Sequence, residues 1–383
     1  MRKKLLIFGS PLVEEQEIKE VEATLRSGWL GTGPKVSKFE EMFKEYKGGR
    51  FAMALNSCSA ALHLSLLALG LKPGDEVITT PMTFCATVNA IIHSGATPVL
   101  ADCKNDTMNI NPGEIEKKIT PKTKAILPVH FAGRPCEMNP ICDIAKRHGL
   151  KLIEDCAHAI ETEYCGKKAG TFGDFGCFSF YVTKNIMTGE GGMVLSQREV
   201  DAERIKVLAL HGMSKDAWKR YSDKGHKHYY VTEAGFKYNM IDIQAAIGIH
   251  QLKRIEKYWN RRQEIWRRYN EEFFNLPIGL PADPEPDTLH AYHIYTILVD
   301  EKRTGLSRDA FIDAMIEKNI GVGVHYLSIP EHPYYQKTFG WKTTDYPNAM
   351  RIGRQTVSLP LSPKLADDDV EDVIKAVKKV VAS

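Results

Sequence analysis

The sequence lacks several features that would set it apart from ordinary globular proteins. Its 383 residues carry 51 basic and 48 acidic side chains, so the formal net charge is only +3. No basic run is interleaved with aromatic residues, so the chain gives no sign of a nucleic-acid-binding surface. No apolar run is long enough to cross a bilayer, and the apolar run at 5–8 is too short for a signal peptide. We therefore expect neither a membrane segment nor a secretory leader.

Cysteine is missing from the C-terminal half of the chain. All eight cysteines lie between positions 58 and 177, and none of them forms a CxxC pair or a spacing typical of zinc ligands. Their neighbours are apolar or small, which is typical of buried free thiols in a reducing compartment. We therefore expect a cytoplasmic protein that has neither disulfides nor a metal site.

No G-x-G-x-x-G motif opens a helix, so the usual signature of a dinucleotide site is absent. Instead, short β-branched runs alternate with amphipathic helices. Predicted strands cover 76–80, 97–101, 124–129 and 151–155, and predicted helices cover 83–94, 112–119 and 139–148. This alternation predicts an α/β fold with a mostly parallel sheet and helices on both faces, in which ligands bind at the carboxyl ends of the strands.

The length of the chain predicts two domains. We assign residues 1–252 to a large ligand-binding domain and 253–383 to a smaller C-terminal α/β domain. Predicted strands of the small domain cover 293–299, 322–325 and 356–359, and predicted helices cover 307–318 and 366–381. Residues 213–232 are polar and aromatic without periodicity, and we interpret them as a long excursion.

The stretch 178–192 joins an apolar strand to a glycine-rich turn, and Lys184 lies between the two. We predict a turn at 173–176, a strand at 177–182 and a paired strand at 193–196. A lysine at the end of a buried strand loses hydration, which lowers its pKa and makes its amine nucleophilic. A surface lysine is the alternative interpretation.

Other candidate site residues also follow predicted strands. Ser57 or Ser59 can cap the helix that begins there, and the free N–H groups of that helix can bind a phosphate. Phe84 can stack on a flat ring. Asp155 ends its strand and can pair with a protonated ring nitrogen, and His158 follows it by three residues. Helix capping without a ligand and a histidine packed in the core remain alternatives, and the glycine-rich stretch 28–34 is either a ligand loop or a helix connector.

Together these residues match one cofactor. Pyridoxal 5'-phosphate (PLP) has a phosphate, a flat ring, a ring nitrogen and an aldehyde, and proteins bind it through a lysine and an acidic residue at the ring nitrogen. The sequence therefore predicts a PLP site that contains Lys184, Asp155, Phe84 and the helix start at Ser59 and Ala60.

The order of the motifs resembles one known family. The motifs that carry the resemblance are 28–34, 56–63, 74–78, 128–133, 154–159, 178–180, 184–186, 189–192 and 240–246. From about Pro11 to the last helix, the chain resembles the DegT/StrS-type sugar aminotransferases. This resemblance implies the aspartate-aminotransferase fold (fold type I), with a large, mostly parallel sheet domain and a smaller C-terminal α/β domain.

The resemblance also implies roles for individual residues. Lys184 matches the lysine that forms the imine and moves the proton, and Asp155 matches the partner of the pyridinium nitrogen. His158 matches the residue beside the ring hydroxyl, and Phe84 matches the stacking aromatic residue. The matches to phosphate contacts are Ser59, Ala60 and Ser179.

Lys237 departs from the pattern of many relatives, which have asparagine at this position to reach the phosphate in the neighbouring subunit. Lysine occurs in the branch that resembles the UDP-4-amino-4-deoxy-arabinose aminotransferase, where it can meet the same phosphate as a point charge. The segments 211–218, 323–326 and 334–335 also resemble that branch, and His325 is a candidate contact to the nucleotide sugar. An exposed loop lysine and a small-domain histidine without a ligand remain the alternatives.

The resemblance implies a homodimer with active sites at its interface. The enzyme would transfer an amino group from L-glutamate to the keto group, at C4, of a UDP-linked keto sugar in polysaccharide or lipopolysaccharide biosynthesis. The alternatives are a 3-keto-sugar aminotransferase that acts on a dTDP- or GDP-sugar, and a regulatory PLP-fold protein without turnover. A pyridoxamine-dependent sugar dehydratase is disfavoured, because those enzymes carry histidine where this chain has Lys184.

Overall fold

The computed structural model describes residues 2–214 and 229–382. The strands are β1 (Phe51–Leu55), β2 (Glu76–Thr79), β3 (Thr97–Leu100), β4 (Thr123–Leu127), β5 (Lys151–Asp155), β6 (Glu163–Tyr164), β7 (Lys167–Lys168), β8 (Phe175–Ser179), β9 (Gly192–Ser196), β10 (Thr288–Leu289), β11 (Tyr295–Leu298) and β12 (Thr356–Leu359). Of the predicted excursion at 213–232, residues 215–228 lie outside the described part.

The α-helices of the described part are α1 (Glu15–Ser27), α2 (Pro34–Lys47), α3 (Cys58–Ala68), α4 (Cys85–His93), α5 (Pro112–Lys117), α6 (Met138–His148), α7 (Glu199–Ala209), α8 (Asp242–Lys253), α9 (Ile255–Phe273), α10 (Glu301–Thr304), α11 (Arg308–Glu317), α12 (Pro333–Phe339), α13 (Pro347–Gln355) and α14 (Asp367–Val381). Single 3-10 turns occur at Phe131–Gly133, Ile329–Glu331 and Thr343–Asp345. Within residues 2–214 and 229–382, no helix combines the length and the apolar character that a bilayer crossing needs.

The central sheet has seven strands in the order β1–β9–β8–β5–β4–β2–β3. Strands β3, β2, β4, β5 and β8 pair in parallel, whereas β9 runs antiparallel to both β8 and β1. The predicted mostly parallel sheet is therefore confirmed. Because β5 and β8 are parallel neighbours, Asp155 and Ser179 end at the same edge of the sheet.

Strand β8 differs from its predicted bounds. It begins at Phe175, inside the segment predicted as a turn, and it ends at Ser179. Gly176 is a paired residue of this strand, opposite Glu154 of β5 and Leu195 of β9, and the backbone of Gly170 lies directly against it. A Cβ atom at position 176 would lie 2.3 Å from the carbonyl oxygen of Gly170. Here glycine marks a close approach of two backbone segments and does not mark a turn.

The smaller sheets were predicted less well. Strands β6, β7 and β10 form a three-stranded antiparallel sheet that the sequence analysis missed. Strands β11 and β12 pair as a two-stranded sheet. The strand predicted at 322–325 is wrong, because this segment makes only one isolated bridge, between Gly323 and Ser358.

The C-terminal part of the chain has its own core. Buried aromatic and aliphatic side chains of α9, β11, α11, β12 and α14 pack together there, and Leu6 from the N-terminal segment joins them. Leu6 also forms a parallel bridge with Ile320. The predicted division between residues 252 and 253 falls close to the junction of α8 and α9. The two-domain assignment itself stays a prediction.

The glycine-rich stretch 28–34 forms the connection into α2. The backbone N–H groups of Gly33, Lys35 and Val36 donate to the carboxylate of Asp242 at 2.8, 3.1 and 3.0 Å. Asp242 is the first residue of α8 and is only 1% exposed. It therefore caps a helix that lies more than 200 residues earlier in the chain. This arrangement supports the interpretation of the stretch as a helix connector.

Candidate active site

A cavity of about 400 Å³ lies at the carboxyl ends of β5 and β8. Its walls come from the start of α3, the segment before α4, the segment after β5, the loop after β8 and residues 325 and 326 of the C-terminal part. The predicted site residues that line it are Ser59, Phe84, Asp155, His158, Ser179, Lys184 and His325. The fold thus brings seven of the nine predicted site residues around one cavity. The other two, Ala60 and Lys237, do not line it.

Asp155 lies at the floor of the cavity and is 4% exposed. Its Oδ2 accepts a hydrogen bond from the hydroxyl of Thr87 at 2.8 Å, and its Oδ1 accepts one from the N–H of Ala157 at 3.1 Å. Burial raises the pKa of Asp155, and the two donors oppose this effect because they stabilise the carboxylate. A buried carboxylate with this support suits a positively charged partner, such as a protonated ring nitrogen.

Lys184 lies in the loop between β8 and β9. Burial lowers the pKa of its amine from 10.5 to about 8, because the ammonium loses hydration, whereas Cys58 and Asp155 act to keep it protonated. Its backbone N–H donates to the carbonyl oxygen of Tyr181 at 2.9 Å, which holds the residue in a turn. The amine is therefore far easier to deprotonate than that of an ordinary surface lysine.

His158 is held by two hydrogen bonds. The N–H of Ala132 donates to its Nδ1 at 3.3 Å, so Nδ1 is an acceptor and Nε2 carries the proton. Nε2 lies 2.9 Å from the hydroxyl oxygen of Tyr326 and therefore donates to it. Burial lowers the pKa of His158 well below its usual value, which keeps the ring neutral. The ring is thus fixed in one tautomer at the edge of the cavity.

Phe84 and His325 line the cavity from two different elements. Phe84 immediately precedes α4, and its ring is 56% exposed and 5.8 Å from the ring of Tyr326. Nδ1 of His325 lies 2.9 Å from the hydroxyl oxygen of Ser358. Burial lowers the pKa of His325 to about 4, so this ring is also neutral at pH 7. The cavity therefore has an exposed aromatic face and a neutral imidazole available to a ligand.

The start of α3 forms one end of the cavity. The hydroxyl of Ser57 accepts a hydrogen bond from the N–H of Ala60 at 3.1 Å, so this amide is already used by the cap. Ser59 lines the cavity in the first turn, where backbone N–H groups have no earlier partner in the helix. A Cβ atom at Gly192 would lie 2.3 Å from the carbonyl carbon of Ser57. Glycine at position 192 therefore lets the start of the helix approach β9.

Ser179 reaches the cavity from the end of β8. Its hydroxyl oxygen accepts a hydrogen bond from the N–H of Tyr181 at 3.3 Å. The hydroxyl proton remains able to donate to an anion, because one hydroxyl both accepts and donates. Ser179 and the first turn of α3 together form a donor set suited to a phosphate.

Lys237 is exposed and lies outside the cavity of its own chain. Its Nζ donates to the side-chain oxygen of Asn239, and its carbonyl oxygen accepts a hydrogen bond from Asn56 at 3.3 Å. Its contact with a phosphate in a neighbouring subunit stays a prediction.

Two residues that support the site were missed by sequence reasoning. Thr87 donates to Asp155, and its oxygen lies 2.7 Å from that of Thr83, which lies just before α4. Tyr326 binds His158 and also lines the cavity. Thr83 and Thr87 lie four residues apart on either side of Phe84, and this spacing could have indicated from the sequence that Thr87 belongs to the site. For Tyr326, the signal was its position next to the candidate His325.

Glu154 precedes Asp155 but serves a different purpose, because neighbouring residues of a strand point to opposite faces. Its carboxylate accepts hydrogen bonds from three backbone N–H groups of 170–173, at 2.7 to 2.9 Å, and lies 3.2 Å from Nε2 of His130. Both carboxylate oxygens of Glu154 therefore already accept hydrogen bonds. Glu154 therefore fixes the turn before β8, and Asp155 remains free to face the cavity.

The residues present fit PLP. A carboxylate at the floor, an amine with a lowered pKa, an aromatic face and a set of hydroxyl and amide donors correspond to the four chemical features of the cofactor. The sheet order places these groups at the edge of a mostly parallel sheet. Fold and site together define a PLP-dependent enzyme of fold type I.

The chain belongs to the DegT/DnrJ/EryC1/StrS aminotransferase family, whose model matches residues 11–378. The spore coat polysaccharide biosynthesis protein SpsC of Bacillus subtilis is 50% identical over 381 residues, which cover 99% of this chain and 98% of SpsC. This is the family that the sequence motifs predicted.

Solved structures agree with this assignment. The PLP form of Spr1654 from Streptococcus pneumoniae is 33% identical, with a TM-score of 0.91, and the match covers 99% of each chain. The structure of DesI in the presence of its TDP-sugar product is 29% identical, with a TM-score of 0.88, over 100% of this chain and 94% of DesI. The predicted fold class and the predicted cofactor are confirmed, and the protein is a PLP-dependent sugar aminotransferase.

Proposed function

We propose that this aminotransferase moves the amino group of L-glutamate to the C4 keto group of a UDP-linked keto sugar. The observation that carries this proposal is the convergence of Lys184 and Asp155 on one cavity of about 400 Å³, which residues of the C-terminal part also line. A nucleotide-linked acceptor is supported by the structure of DesI with its TDP-sugar product. The similarity to SpsC favours a role in polysaccharide biosynthesis.

Lys184 has the properties of the residue that moves the proton. When bound, PLP supplies an aldehyde that reacts with an amine and a ring that accepts the electrons released from the Cα–H bond of the donor. With a pKa of about 8, the amine of Lys184 accepts a proton at Nζ and returns it near neutral pH. A base with this pKa is matched to a reaction that moves a proton in both directions.

Asp155 and His158 would orient the reacting group. The carboxylate of Asp155, supported by Thr87 and Ala157, would stabilise a protonated ring nitrogen when the cofactor is bound. His158 stays neutral and keeps its ring in place through Ala132 and Tyr326. Ser59 and Ser179 would donate to the phosphate, and the exposed ring of Phe84 would cover the flat face of the cofactor.

A homodimer is part of the proposal. Lys237 matches a position that serves the neighbouring subunit in the family, and in this chain it is exposed and outside its own cavity. Its positive charge suits a phosphate that a second copy would hold. The presence of lysine here also supports the UDP-sugar branch, with His325 as a contact to the nucleotide sugar. The free, mostly buried cysteines favour a cytoplasmic location.

The first experiment separates the donor half-reaction from the acceptor. Purified protein is loaded with PLP, and its visible absorbance is recorded before and after L-glutamate is added without any sugar. The expected result is a change in the cofactor absorbance with release of one 2-oxoglutarate per site. The Lys184→Ala variant should lose this reaction, whereas Lys167→Ala, which removes an exposed lysine outside the cavity, should retain it.

The acceptor is then identified with sugar substrates. UDP-, dTDP- and GDP-linked 4-keto and 3-keto sugars are added to the glutamate-treated enzyme, and the position of the new amine is read by NMR. Amination at C4 of a UDP-sugar is expected. A preference for a dTDP- or GDP-linked 3-keto sugar would replace the proposed acceptor, and a protein that binds PLP but ignores glutamate would contradict the proposed donor.

A further inference from the structure

Glu161 is a buried carboxyl group that has no role so far in the proposed aminotransfer reaction. It is 2% exposed and follows His158 by three residues, in the segment after β5. A carboxylate taken out of water is costly unless hydrogen-bond donors and cations replace its hydration. Its partners therefore show which part of the molecule this group holds.

The principal partner of Glu161 is Asn185, the residue that follows Lys184. Nδ2 of Asn185 lies 2.9 Å from both Oε1 and Oε2 of Glu161. The same nitrogen donates to the carbonyl oxygen of Ala291 at 2.8 Å. Both amide hydrogens are therefore used, and the side chain of Asn185 is fixed between the two segments.

The chemistry of these partners fixes the orientation of the amide. A reversed amide would place the oxygen of Asn185 against three other oxygens, so the nitrogen faces Glu161. Oδ1 of Asn185 then lies 2.8 Å from Nδ1 of His293 and accepts a hydrogen bond from it. His293 therefore carries its proton on Nδ1.

His293 links this network to the cavity. Its ring centroid lies 4.4 Å from that of His158, at an interplanar angle of 41°. Burial lowers the pKa of both rings well below the usual value, so both are neutral and pack without charge repulsion. Glu161 thus reaches Lys184 through its chain neighbour Asn185 and reaches His158 through His293.

Charged groups from two helices surround Glu161. Lys47 of α2 donates to the carbonyl oxygen of Ile160, and Arg262 of α9 donates to that of His293 at 3.3 Å. Tyr46 of α2 also interacts electrostatically with Glu161. Burial raises the pKa of Glu161 to about 7, opposed by the hydrogen bond from Asn185 and the charges of Arg262 and Lys47. The group therefore changes charge near pH 7.

We propose that Glu161 is a positioning residue of the aminotransferase site, which holds Lys184 in place through Asn185 and the ring of His158 through His293. This inference rests on the proposed function in one respect, namely that Lys184 and His158 act on the bound cofactor. Glu161 itself does not line the cavity, so its effect is indirect.

The test compares Glu161→Gln with a matched variant, Glu17→Gln. Glu17 is equally buried, at 1% exposure, and its carboxylate accepts hydrogen bonds from Arg254 and Gln251 outside the cavity. Each protein is loaded with PLP. The measurements are the kcat/KM for L-glutamate, the Kd for PLP, the melting temperature, and the visible absorbance of the bound cofactor between pH 5.5 and pH 9.

The expected result is specific to Glu161→Gln. Its kcat/KM should fall about tenfold, because the hydrogen bond from Asn185 then has a neutral acceptor and an amide nitrogen replaces one of the two acceptor oxygens. Wild-type protein and Glu17→Gln should show a step in the cofactor absorbance near pH 7, and Glu161→Gln should lack it. If Glu161→Gln lowers only the melting temperature and matches Glu17→Gln in kcat/KM, Kd and pH profile, Glu161 is a purely structural group and the inference is overturned.

A second variant tests the same inference in case Glu161→Gln does not fold. Asn185→Ala breaks the same connection from the other side and should give the same loss of kcat/KM and the same change of pH profile. A folded Asn185→Ala protein with wild-type values overturns the inference. If wild-type protein itself binds no PLP and releases no 2-oxoglutarate from glutamate, the proposed function fails and the inference falls with it.

Discussion

The reaction of Lys184 with PLP should depend on pH in a way that reports its half-buried position. With a pKa of about 8, the amine is roughly 9% neutral at pH 7, whereas an amine with the ordinary value of 10.5 is roughly 0.03% neutral. The reactive form is therefore about 300 times more abundant than on an exposed lysine. Because burial lowers the pKa of a cation, the neutral form dominates above about pH 8 and is lost below it.

The assay mixes cofactor-free protein with PLP in a stopped-flow instrument and follows visible absorbance between pH 7 and pH 11. The rate of capture should rise about fivefold between pH 7 and pH 8, as the neutral fraction goes from about 9% to about 50%, and should level off above about pH 9. The midpoint is more informative than the absolute rate, because nucleophilicity decreases with basicity. A free N-acetyl-lysine control should continue to rise to about pH 10.5.

A variant of the neighbouring carboxylate gives an independent check. Asp155 acts to keep the amine of Lys184 protonated, so Asp155→Asn should move the midpoint to lower pH. A wild-type rate that still rises about tenfold between pH 8 and pH 9 would refute the argument, because the amine would then have the pKa of an exposed lysine.

Three further variants test the groups around the cavity. Thr87→Val removes a hydrogen-bond donor to Asp155 and should raise the pKa of that carboxyl group further. A hydrogen bond to a charged group contributes about 1.5–3 kcal/mol, so its loss predicts a decrease in kcat of roughly 10- to 150-fold. Tyr326→Phe leaves Nε2 of His158 without its acceptor, and a cost of about 1–3 kcal/mol predicts a decrease in kcat/KM of roughly 5- to 150-fold. Ser57→Ala removes the cap of α3 and should cost about 1 kcal/mol of stability, measured as a lower melting temperature, and weaken binding of PLP.

Each of these variants has a counterpart outside the cavity. Thr79→Val removes a hydroxyl that donates to Leu127, and Tyr335→Phe removes one that donates to Asn89. Ser307→Ala removes the cap of α11. These controls should change stability without changing kcat or the affinity for PLP. Equal losses of activity in a variant and its counterpart would contradict the corresponding prediction.

The common location of Asp155 and Lys184 could be predicted because it depends on sheet topology. Asp155 and Lys184 follow two apolar runs, and parallel neighbours such as β5 and β8 necessarily end at the same edge. Helix α3 could also be located, since Ser57 directly follows β1 and opens a run of small and apolar residues. Residues whose position depends on the ends of regular elements were therefore accessible from sequence alone.

Contacts between distant loops could not be predicted in the same way. Tyr326 meets His158 across 168 positions, and no periodic pattern relates the two. Gly176 is a strand residue against which a separate segment, at Gly170, packs closely; the local sequence does not show this contact, and a glycine read locally predicts a turn. Strands β6, β7 and β10 have only two residues each, too few for an alternating pattern.

The capping of α2 by Asp242 has a consequence for how the chain folds during synthesis. The N–H groups at the start of α2 find their acceptor only after 206 to 209 more residues have been made. At about 5–20 residues per second, the ribosome needs roughly 10 to 40 s to reach that point. During this interval the nascent helix begins with amide groups open to water or to a chaperone. The emergence of α8 therefore sets the earliest time at which the N-terminal helices can reach their native form.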